Sequence, residues 1–386
     1  MTAATKPEYA AIVQKLIDLI DTNHWQDKFG AAIQKVGTYN IPSLKHIDSR
    51  AAYYNWVNEL YYWVPTETKD AKNVYNHICE FYFILDQAPV KGLQNKISPK
   101  NTNEPLTALS QWIVDFANAW GEWMDTTDSI THESIRSFQA APMYNMDEYM
   151  PPPSGYKTFN QMFARHVKPS MRPIAAIGDE RVFVSVADST ISGSWQINQD
   201  NTIHVQSGRI TIKHLDWSMD ELLHESPYRD RFQGGLFMHA FLNTTDYHRL
   251  HVPVSGRVLE ARVIQGQAYL DVEAMKIDAN SHTLRGKRTF NAEDDTGYQF
   301  AQTRGLIVID SPFGLVAVLP IGMAQVSSVV MTAEVGKKLH KGDEFCYFQF
   351  GGSDHVILFG ASVNVNLTAR IGVHYNQGSV IGYANP

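Results

Sequence analysis

The chain has 386 residues, enough for about two domains of roughly 150 residues each. Hydrophobic residues make up 44% and charged residues 19%, with 25 Gly and 17 Pro, which is typical of soluble globular proteins and excludes disordered, collagen-like and coiled-coil chains. The formal net charge of −7 excludes a global positive field that would hold nucleic acid or an anionic membrane. We therefore expect no nucleic-acid partner, although a local basic patch is compatible with this charge balance.

The cysteine content indicates a reducing compartment. Only Cys79 and Cys346 occur, far apart in the chain, so neither a disulfide framework nor a cysteine-based zinc site is supported. The amino-terminal segment carries Lys6, Glu8 and Lys15, where a signal peptide requires an uninterrupted apolar stretch. We expect a cytoplasmic protein without a bound metal.

Several common types of protein are disfavoured by what the sequence lacks. The most apolar stretch, residues 305–331, is interrupted by Asp, Ser, Pro and Gly and is typical of two strands, not of a membrane span of about 20 apolar residues. The sequence contains no phosphate-loop, dinucleotide-binding, HExxH or GxSxG motif, which disfavours the common nucleotide-binding enzymes, zinc proteases and serine hydrolases. Pyridoxal enzymes stay open, because no fixed motif marks their lysine.

The first part of the chain, from Pro7 to about Gln139, is predicted to be helical. Apolar residues recur there at intervals of three and four, the spacing of one helix face, and we expect five or so amphipathic helices. The residues that carry this pattern are Ile12, Leu16 and Ile20; Trp56, Leu60 and Trp63; Ile78, Phe81 and Leu85; and Leu109, Trp112, Phe116 and Trp120.

A proline-rich run at residues 151–155 predicts a boundary between domains 1–150 and 151–386, because it suits neither a helix interior nor an alternating strand. After one more helical segment at Phe159–Val167, short β-type runs follow, separated by Gly, Asn and Asp. The predicted fold class is α+β, with an N-terminal helical domain followed by a mainly antiparallel β domain. The runs are VFVSVA, WQI, TIHV, RITI, RVLEARV, AYLDV, LIVID, LVAVL, FCYFQF, VILF and VNVNL.

Two histidines, His248 and His251, flank Arg249 just before Pro253. Because Pro253 disfavours a helix at the residue before it, we expect a terminal helical turn at Tyr247–Leu250 and a strand entered at His251. Two imidazoles beside an arginine have the chemistry to bind a carboxylate and shuttle protons, since histidine titrates near pH 6.5. A hydrogen-bonded turn is the alternative interpretation. A metal site would need a third ligand that the local sequence does not offer.

Two further positions have both a structural and a chemical interpretation. Asp188 ends a β-type run, where an Asp usually satisfies a turn, but it is also suited to orient a histidine. Gly351-Gly352-Ser353 interrupts an apolar alternation. A hairpin turn explains this tripeptide. The alternative is that the Ser353 hydroxyl attacks the Gly352 carbonyl and moves the acyl group from nitrogen to oxygen.

Taken in this order, these elements resemble the phosphatidylserine decarboxylase family, pyruvoyl-dependent enzymes that cut themselves to make their cofactor. The resemblance covers about residues 159–359. The segments that carry it are FNQMFARHVKPSMRPI at Phe159–Ile174, VADSTI around Asp188, DYHRLHVPVSGRV at Asp246–Val258, TRGLIVID at Thr303–Asp310, LPIGMAQVSSV at Leu319–Val329 and KGDEFCYFQFGGS ending at Ser353.

The resemblance implies a zymogen that cleaves itself between Gly352 and Ser353 into a β chain, residues 1–352, and an α chain, residues 353–386, whose first residue becomes the pyruvoyl cofactor. It also implies a processing triad with Ser353 as nucleophile, His251 as base and Asp188 orienting that base. These residue types suit the step, because a serine hydroxyl is a poor nucleophile until a base takes its proton. For turnover the resemblance implies a carboxy-lyase that forms a Schiff base with the substrate amine, with His248 at or near the acid that reprotonates the carbon.

The cleavage site also bears on the substrate. The phospholipid enzymes usually have Leu-Gly-Ser-Thr there, whereas Gly351-Gly352-Ser353 looks like the soluble branch that decarboxylates free amino acids, including tryptophan decarboxylases. The resemblance thus implies release of carbon dioxide and the amine from a free, aromatic L-amino acid. A phosphatidylserine decarboxylase making phosphatidylethanolamine is the alternative, and an inactive relative acting as a binding protein is another. Asp354 replaces the usual Ser or Thr, a difference that affects the processing geometry.

The helical region of about 150 residues resembles the extra domain of that soluble branch in position and character. Its tryptophans have two interpretations, a membrane-binding surface or a packed aromatic core. We expect a small-molecule substrate, the two cleaved chains as partners and no membrane partner. The resembling family is often dimeric, and the sequence leaves the oligomeric state open. The tryptophans concerned are Trp56, Trp63, Trp112, Trp120 and Trp123.

Overall fold

Helices are concentrated in the amino-terminal part of the chain and strands in the remainder, so the predicted α+β class is confirmed. A computed structural model describes residues 9–97, 102–205, 215–286, 298–322, 329–350 and 353–385. In these ranges the α-helices are α1 (Ala11–Thr22), α2 (Gln26–Gly37), α3 (Arg50–Tyr61), α4 (Asn73–Leu85), α5 (Ala88–Lys91), α6 (Ala108–Met124), α7 (His132–Gln139), α8 (Phe159–Phe163) and α9 (Met219–Leu222).

Capping residues in the sequence explain where several helices begin. Ser49, Thr107 and Thr131 precede α3, α6 and α7, and each side-chain oxygen accepts a hydrogen bond from a backbone N–H in the first turn. Such a cap satisfies one of the N–H groups that a helix start leaves without an intrahelical partner. The described part up to residue 139 contains seven helices, more than the five or so expected, because short helices such as α5 carry too few residues to show a periodic pattern.

The tryptophans of the helical domain pack inward. Trp112 and Trp120 are 1% and 0% exposed, Trp56 is 7% exposed, and Trp63 and Trp123 are half-buried. Side chains buried in this way are not available to a bilayer, which favours the packed core over the membrane-binding surface. Among the described helices, none has the length and apolar character needed to cross a membrane.

The strands follow the boundary region almost without interruption by helix. In chain order they are β1 (Tyr149–Met150), β2 (His166–Val167), β3 (Val182–Val184), β4 (Ser189–Gln196), β5 (Thr202–Val205), β6 (Leu215–Ser218), β7 (Leu236–Leu242), β8 (Arg249–His251), β9 (Gly256–Ile264), β10 (Val272–Lys276), β11 (His282–Gly286), β12 (Arg304–Ser311), β13 (Gly314–Gly322), β14 (Val329–Met331), β15 (Lys338–Leu339), β16 (Glu344–Phe348), β17 (Ser353–Phe359), β18 (Val365–Leu367), β19 (His374–Tyr375) and β20 (Val380–Ala384). The predicted run RITI, residues 209–212, lies outside the described residues.

An eight-stranded antiparallel sheet organises the β domain, in the order β15-β9-β12-β13-β17-β7-β4-β19. Because side chains alternate along each strand, the sheet has two apolar faces. One face packs against the three-stranded sheets β14-β16-β8 and β18-β20-β3 in a core that includes Leu242, Leu250 and Ile357. The other face has a separate core that includes Trp217 and Val356.

The segment before Pro253 differs from its prediction. The helical turn expected at Tyr247–Leu250 is wrong, because Arg249–His251 form β8, which pairs with β16. The turn lies earlier: the Asp246 N–H donates to the Asn243 carbonyl at 3.1 Å, and the Asp246 carboxylate accepts from the Asn243 N–H at 2.7 Å. Pairing with a strand almost a hundred residues away outweighs the local preference, and no local pattern reveals it.

The predicted boundary falls in a segment without helix or strand, residues 151–158. Its position at residue 150 stays a prediction, because packing continues across it. Phe159 and Phe163 of α8 belong to the apolar core of the helical domain, and β1 pairs with β2 across the same segment. The amino-terminal helices and the β domain are therefore packed together at this point.

Candidate active site

Ser353 is the first residue of β17, which lies between β13 and β7 in the central sheet. It lies opposite Gly322 on one side and Leu242 on the other. The side chain is fully buried, and its Oγ has no hydrogen-bond partner within the described ranges. A buried hydroxyl without a partner is uncommon in folded proteins and is a candidate for a reactive group. The preceding Gly351 and Gly352 lie outside the described residues.

The imidazole of His251 is oriented by a backbone carbonyl. Its Nδ1 lies 2.7 Å from the Gly342 oxygen, and since a carbonyl only accepts, Nδ1 carries the proton. Nε2 is then the basic nitrogen, and it lies 3.2 Å from the Tyr247 hydroxyl. Burial lowers the pKa of His251 to about 4. The ring is therefore neutral at physiological pH and able to accept a proton.

Gly342 lies beside His251 in a backbone conformation that favours glycine. Its φ is +88°, which L side chains rarely adopt, and a Cβ there would lie 2.6 Å from the Ile174 Cδ1. The Gly342 N–H donates to the Val252 carbonyl at 3.0 Å, which ties the turn to the residue after His251. The glycine thus presents its carbonyl to the imidazole in a conformation that another residue would strain.

Asp188 is 3% exposed and is held by Arg172. The Arg172 Nε lies 2.8 Å from Oδ1 and its Nη2 lies 2.6 Å from Oδ2, a two-pronged ion pair, while the Gln377 N–H donates to Oδ1 at 2.8 Å. The described hydrogen bonds of Asp188 do not include one to His251. The two residues are nevertheless neighbours, since the His251 N–H donates to the Val186 carbonyl at 2.9 Å. The orienting role of Asp188 stays a prediction.

His248 is fully buried and stacks on the ring of Phe163, with centroids 4.1 Å apart. Burial, followed by the positive charge of Arg165, lowers its pKa well below the usual value. The neutral ring can act as an acid only after it has taken up a proton. Its backbone carbonyl accepts from the Phe348 N–H at 2.9 Å, which links it to the strand that leads toward Ser353.

The helical domain holds the residue just before the two glycines. The Phe350 N–H donates to the Asn160 side chain at 3.1 Å, and the Asn160 amide donates to the Gly121 carbonyl of α6 at 3.0 Å. The ring of Phe350 is buried against Trp120, with centroids 5.0 Å apart, and against Phe159 at 5.4 Å. The approach to Ser353 is therefore fixed by α8 together with α6 of the helical domain.

Asp354 pairs with His239 on the other side of β17. The His239 Nε2 lies 2.8 Å from the Asp354 Oδ2, and both side chains are fully buried. Successive side chains of a strand point to opposite faces, so this pair lies behind the strand as seen from Ser353. A Ser or Thr at residue 354 has no carboxylate to make this contact with His239. The replacement noted in the sequence therefore has a partner in β7.

Sequence reasoning did not identify several of these contacts. Arg172 stands in one of the segments that carried the resemblance, but nothing in the sequence connected it with Asp188. Asn160, His239 and Gly342 became significant only through residues far away in the chain. The described ranges contain no cluster of three or more His, Cys, Asp or Glu side chains suited to a metal ion.

The family model for phosphatidylserine decarboxylase matches residues 159–383. The match contains all four predicted site residues, Asp188, His248, His251 and Ser353. It also contains the eight-stranded sheet and the three-stranded sheets that pack against it.

Individual relatives agree with this match. Phosphatidylserine decarboxylase proenzyme 3 of Schizosaccharomyces pombe is 34% identical over 235 residues, 61% of this chain and 22% of that protein. The phosphatidylserine decarboxylase proenzyme of Fusobacterium nucleatum is 28% identical over 251 residues, 65% of this chain and 73% of that protein. Decarboxylase iboD of Amanita muscaria is 26% identical over 289 residues, 68% of this chain and 81% of that protein. The chain thus spans about a fifth of the yeast protein and most of the other two.

The matched region covers more than half of the chain and confirms the resemblance found in the sequence. This family consists of decarboxylases whose pyruvoyl cofactor forms from a serine, so the predicted enzyme class and cofactor are confirmed at the level of the family. The chain belongs to the phosphatidylserine decarboxylase family.

Proposed function

We propose that this chain is a self-processing, pyruvoyl-dependent decarboxylase of a free aromatic L-amino acid, releasing the amine and carbon dioxide. The observation that carries the processing step is the buried Ser353 hydroxyl, which has no hydrogen-bond partner among the described residues and begins a central strand. Cleavage between Gly352 and Ser353 leaves this strand as the first element of the α chain. Its pairing with β13 and β7 keeps that chain bound to the β chain after the cut.

In the proposed processing step the Ser353 Oγ attacks the Gly352 carbonyl while His251 accepts the hydroxyl proton at Nε2. The bond from Gly352 to the Ser353 nitrogen breaks, that nitrogen takes a proton, and an ester to Oγ forms. Loss of the Ser353 Cα proton then expels the Gly352 carboxylate and leaves a dehydroalanine. Its imine form takes up water and releases ammonia, which leaves the ketone. His251 is suited to the first transfer because it is neutral with Nε2 unprotonated.

The ketone formed from Ser353 supplies an electron sink for an amine substrate. His248 is proposed to return a proton to the substrate carbon after first taking one up, since its backbone is connected through Phe348 to the strand leading toward the α chain. Asp188 is proposed to act on His251 through its charge and not through a hydrogen bond. Its carboxylate raises the pKa of His251, against the larger lowering caused by burial.

Two features favour a free amino acid as substrate. The buried tryptophans of the helical domain leave no tryptophan-rich face for a bilayer among the described residues. The relative from Amanita muscaria, which aligns over most of its own length, has a name that specifies no lipid. The aromatic class rests on the resemblance to tryptophan decarboxylases. Phosphatidylserine is the second candidate substrate, because most of the similar proteins carry that name.

Processing is tested with variants of the nucleophile and base. We expect the wild-type chain of 43.5 kDa to yield a large β chain and a short α chain on a denaturing gel. Ser353→Ala should stay intact because the attacking oxygen is gone, and His251→Ala should slow cleavage by at least about 100-fold, as expected for loss of a general base. His340→Ala, in the exposed turn near Gly342, is the control. An active wild-type protein that runs as one intact band contradicts the mechanism.

The substrate is tested by carbon dioxide release from a panel of free L-amino acids without detergent. We expect Trp, Tyr or Phe to give the highest kcat/KM, and the uncleaved Ser353→Ala variant to give none. Phosphatidylserine in liposomes serves as the second substrate. Turnover of the lipid alone would replace the amino acid proposal with the phospholipid one.

The ion pair between Arg172 and Asp188 is tested by its removal. Arg172→Gln leaves a buried carboxylate without its cation, which typically destabilises a protein by about 3–5 kcal/mol. We expect processing at least about tenfold slower, with partial recovery in Arg172→Lys, which restores the charge but not the two-pronged geometry. Arg181→Gln removes an exposed arginine paired with Asp179 and should change neither the stability nor the processing rate. Cleavage of Arg172→Gln at the wild-type rate would exclude the pair from processing.

The protonation of His251 is tested by NMR of the histidine rings. Since burial lowers the pKa of His251 to about 4, its ring should stay neutral on acidification from pH 8 to 5.5. His374, whose pKa is raised by its hydrogen bond to Asp246, should protonate above pH 6.5. In the unfolded chain His251 takes up a proton near pH 6.5, whereas in the folded protein it does so only near pH 4. The free energy of unfolding should therefore decrease as the pH falls from 6.5 toward 4. The signals are assigned by their loss in His251→Gln and His374→Gln. If the two rings titrate together near pH 6.5, the lowered pKa of His251 is contradicted.

A further inference from the structure

A cleft of about 600 Å³ lies between the helical domain and the hairpin β10–β11. This volume is in the range of sites for small organic molecules. Asp188, His248, His251 and Ser353 do not line it, so it is separate from the site described above. Its lining includes two glutamates and, among the described residues, no lysine or arginine.

One wall of the cleft is a stripe along α3 and the residues that follow it. Trp56, Glu59, Leu60 and Trp63 all line the cleft. Trp56, Glu59 and Leu60 recur at intervals of three and four and so share one face of α3, and Trp63 follows just after the helix ends. Trp56 is 7% exposed and Glu59 is exposed at the rim. This wall combines indole rings with one carboxylate.

The facing wall is a polar stripe on α4. Asn73, Asn76, His77 and Glu80 line the cleft and follow the same spacing. The imidazole of His77 lies flat on the indole of Trp63, with centroids 4.1 Å apart and planes 7° apart. α4 otherwise consists mostly of buried apolar residues, so a polar stripe here has no role in the hydrophobic core.

Glu80 is the charged group at the inner end of this stripe. It is 6% exposed, and the described residues offer its carboxylate neither a hydrogen bond nor an ion pair. Its carboxylate oxygens are not among the fully enclosed polar atoms without a partner, so they open onto the cleft. A carboxylate shielded by this much protein attracts a cation more strongly than an exposed one.

We propose that this cleft binds a primary arylalkylamine, an amine on a short carbon chain attached to an aromatic ring, as its ammonium ion. Glu80 accepts hydrogen bonds from the ammonium group, the Trp56 ring attracts the positive charge, and the apolar lining covers the aromatic body. A free amino acid fits less well, because its carboxylate would meet Glu80 and Glu59, and the described lining offers no lysine or arginine to offset the repulsion. The cleft thus selects the amine over the amino acid.

The cleft is connected to the segment before Ser353. The Trp63 ring that lines it also contacts Phe350, with centroids 6.4 Å apart. Phe350 is the residue before Gly351 and Gly352, so an amine that moves Trp63 acts on the chain next to the cleavage site. This connection rests on the proposed function, under which the aromatic amine is the reaction product and the cleft is a product-binding site. The binding of an amine does not depend on it.

Binding is tested with the full-length Ser353→Ala protein, in which no ketone can react with the amine, using tryptamine as the probe in isothermal titration calorimetry. We expect saturable binding that Glu80→Gln weakens by at least about tenfold, since the charge that holds the ammonium is lost. The matched control Glu59→Gln, at the exposed rim, should weaken it by less than about threefold. L-Tryptophan should bind at least about tenfold more weakly than tryptamine. 3-Methylindole, which has no amine, should bind weakly, and Glu80→Gln should not change its affinity.

Equal tryptamine affinity with and without Glu80→Gln, or L-tryptophan binding as tightly as tryptamine, would overturn the site. If Glu80→Gln does not fold, Asn76→Lys provides the same test, because a cation placed in the cleft should abolish tryptamine binding. In the wild-type enzyme, tryptamine should lower kcat, and Glu80→Gln should remove that effect. Inhibition that changes KM alone, equally in both proteins, would overturn the connection through Trp63. An enzyme without amino acid decarboxylase activity would overturn the proposed function and leave the calorimetric result intact.

Discussion

The position of Ser353 at the start of a strand bonded on both sides is the constraint on which the rest of the site depends. β17 pairs along its whole length with β13 and β7, so the backbone of Ser353 is held between Gly322 and Leu242 at the end of two ladders of the central sheet. The side chain is thereby fixed in a buried place, where an unbonded hydroxyl is unfavourable by itself. The sheet thus holds the candidate nucleophile in a position that the local sequence alone would not fix. It would also retain the short α chain after the cut.

The surroundings of this strand combine two kinds of support. On the amino-terminal side, Asn160 and the aromatic rings around Phe350 hold the approach to Ser353, and these come from the helical domain and the segment that follows it. Behind the strand, Asp354 pairs with His239 inside the sheet. Around the site, burial keeps His248 and His251 neutral. The helical domain therefore supports the candidate site and also carries a separate cleft.

The α+β class and the change from helices to strands could be predicted because the periods of apolar residues, about 3.6 and 2, are local properties. The number of helices and the structure at Tyr247–Leu250 could not. Short helices carry too few residues to show a period, and β8 exists because it pairs with β16. The tryptophans had two interpretations in the sequence, since the same spacing serves a membrane face and a core. Their burial in the folded domain favours the core.

The sequence by itself determined the family, the candidate residues Asp188, His248, His251 and Ser353, and the acidic, cysteine-poor character of the chain. These follow from residue types and their order. Only the tertiary structure decided that Arg172 holds Asp188, that the Gly342 carbonyl orients His251, and that Glu80 lines a cleft without a partner of its own among the described residues. The physical reason is that hydrogen bonds and ion pairs depend on distances of a few ångströms between residues far apart in the chain, and only folding sets those distances.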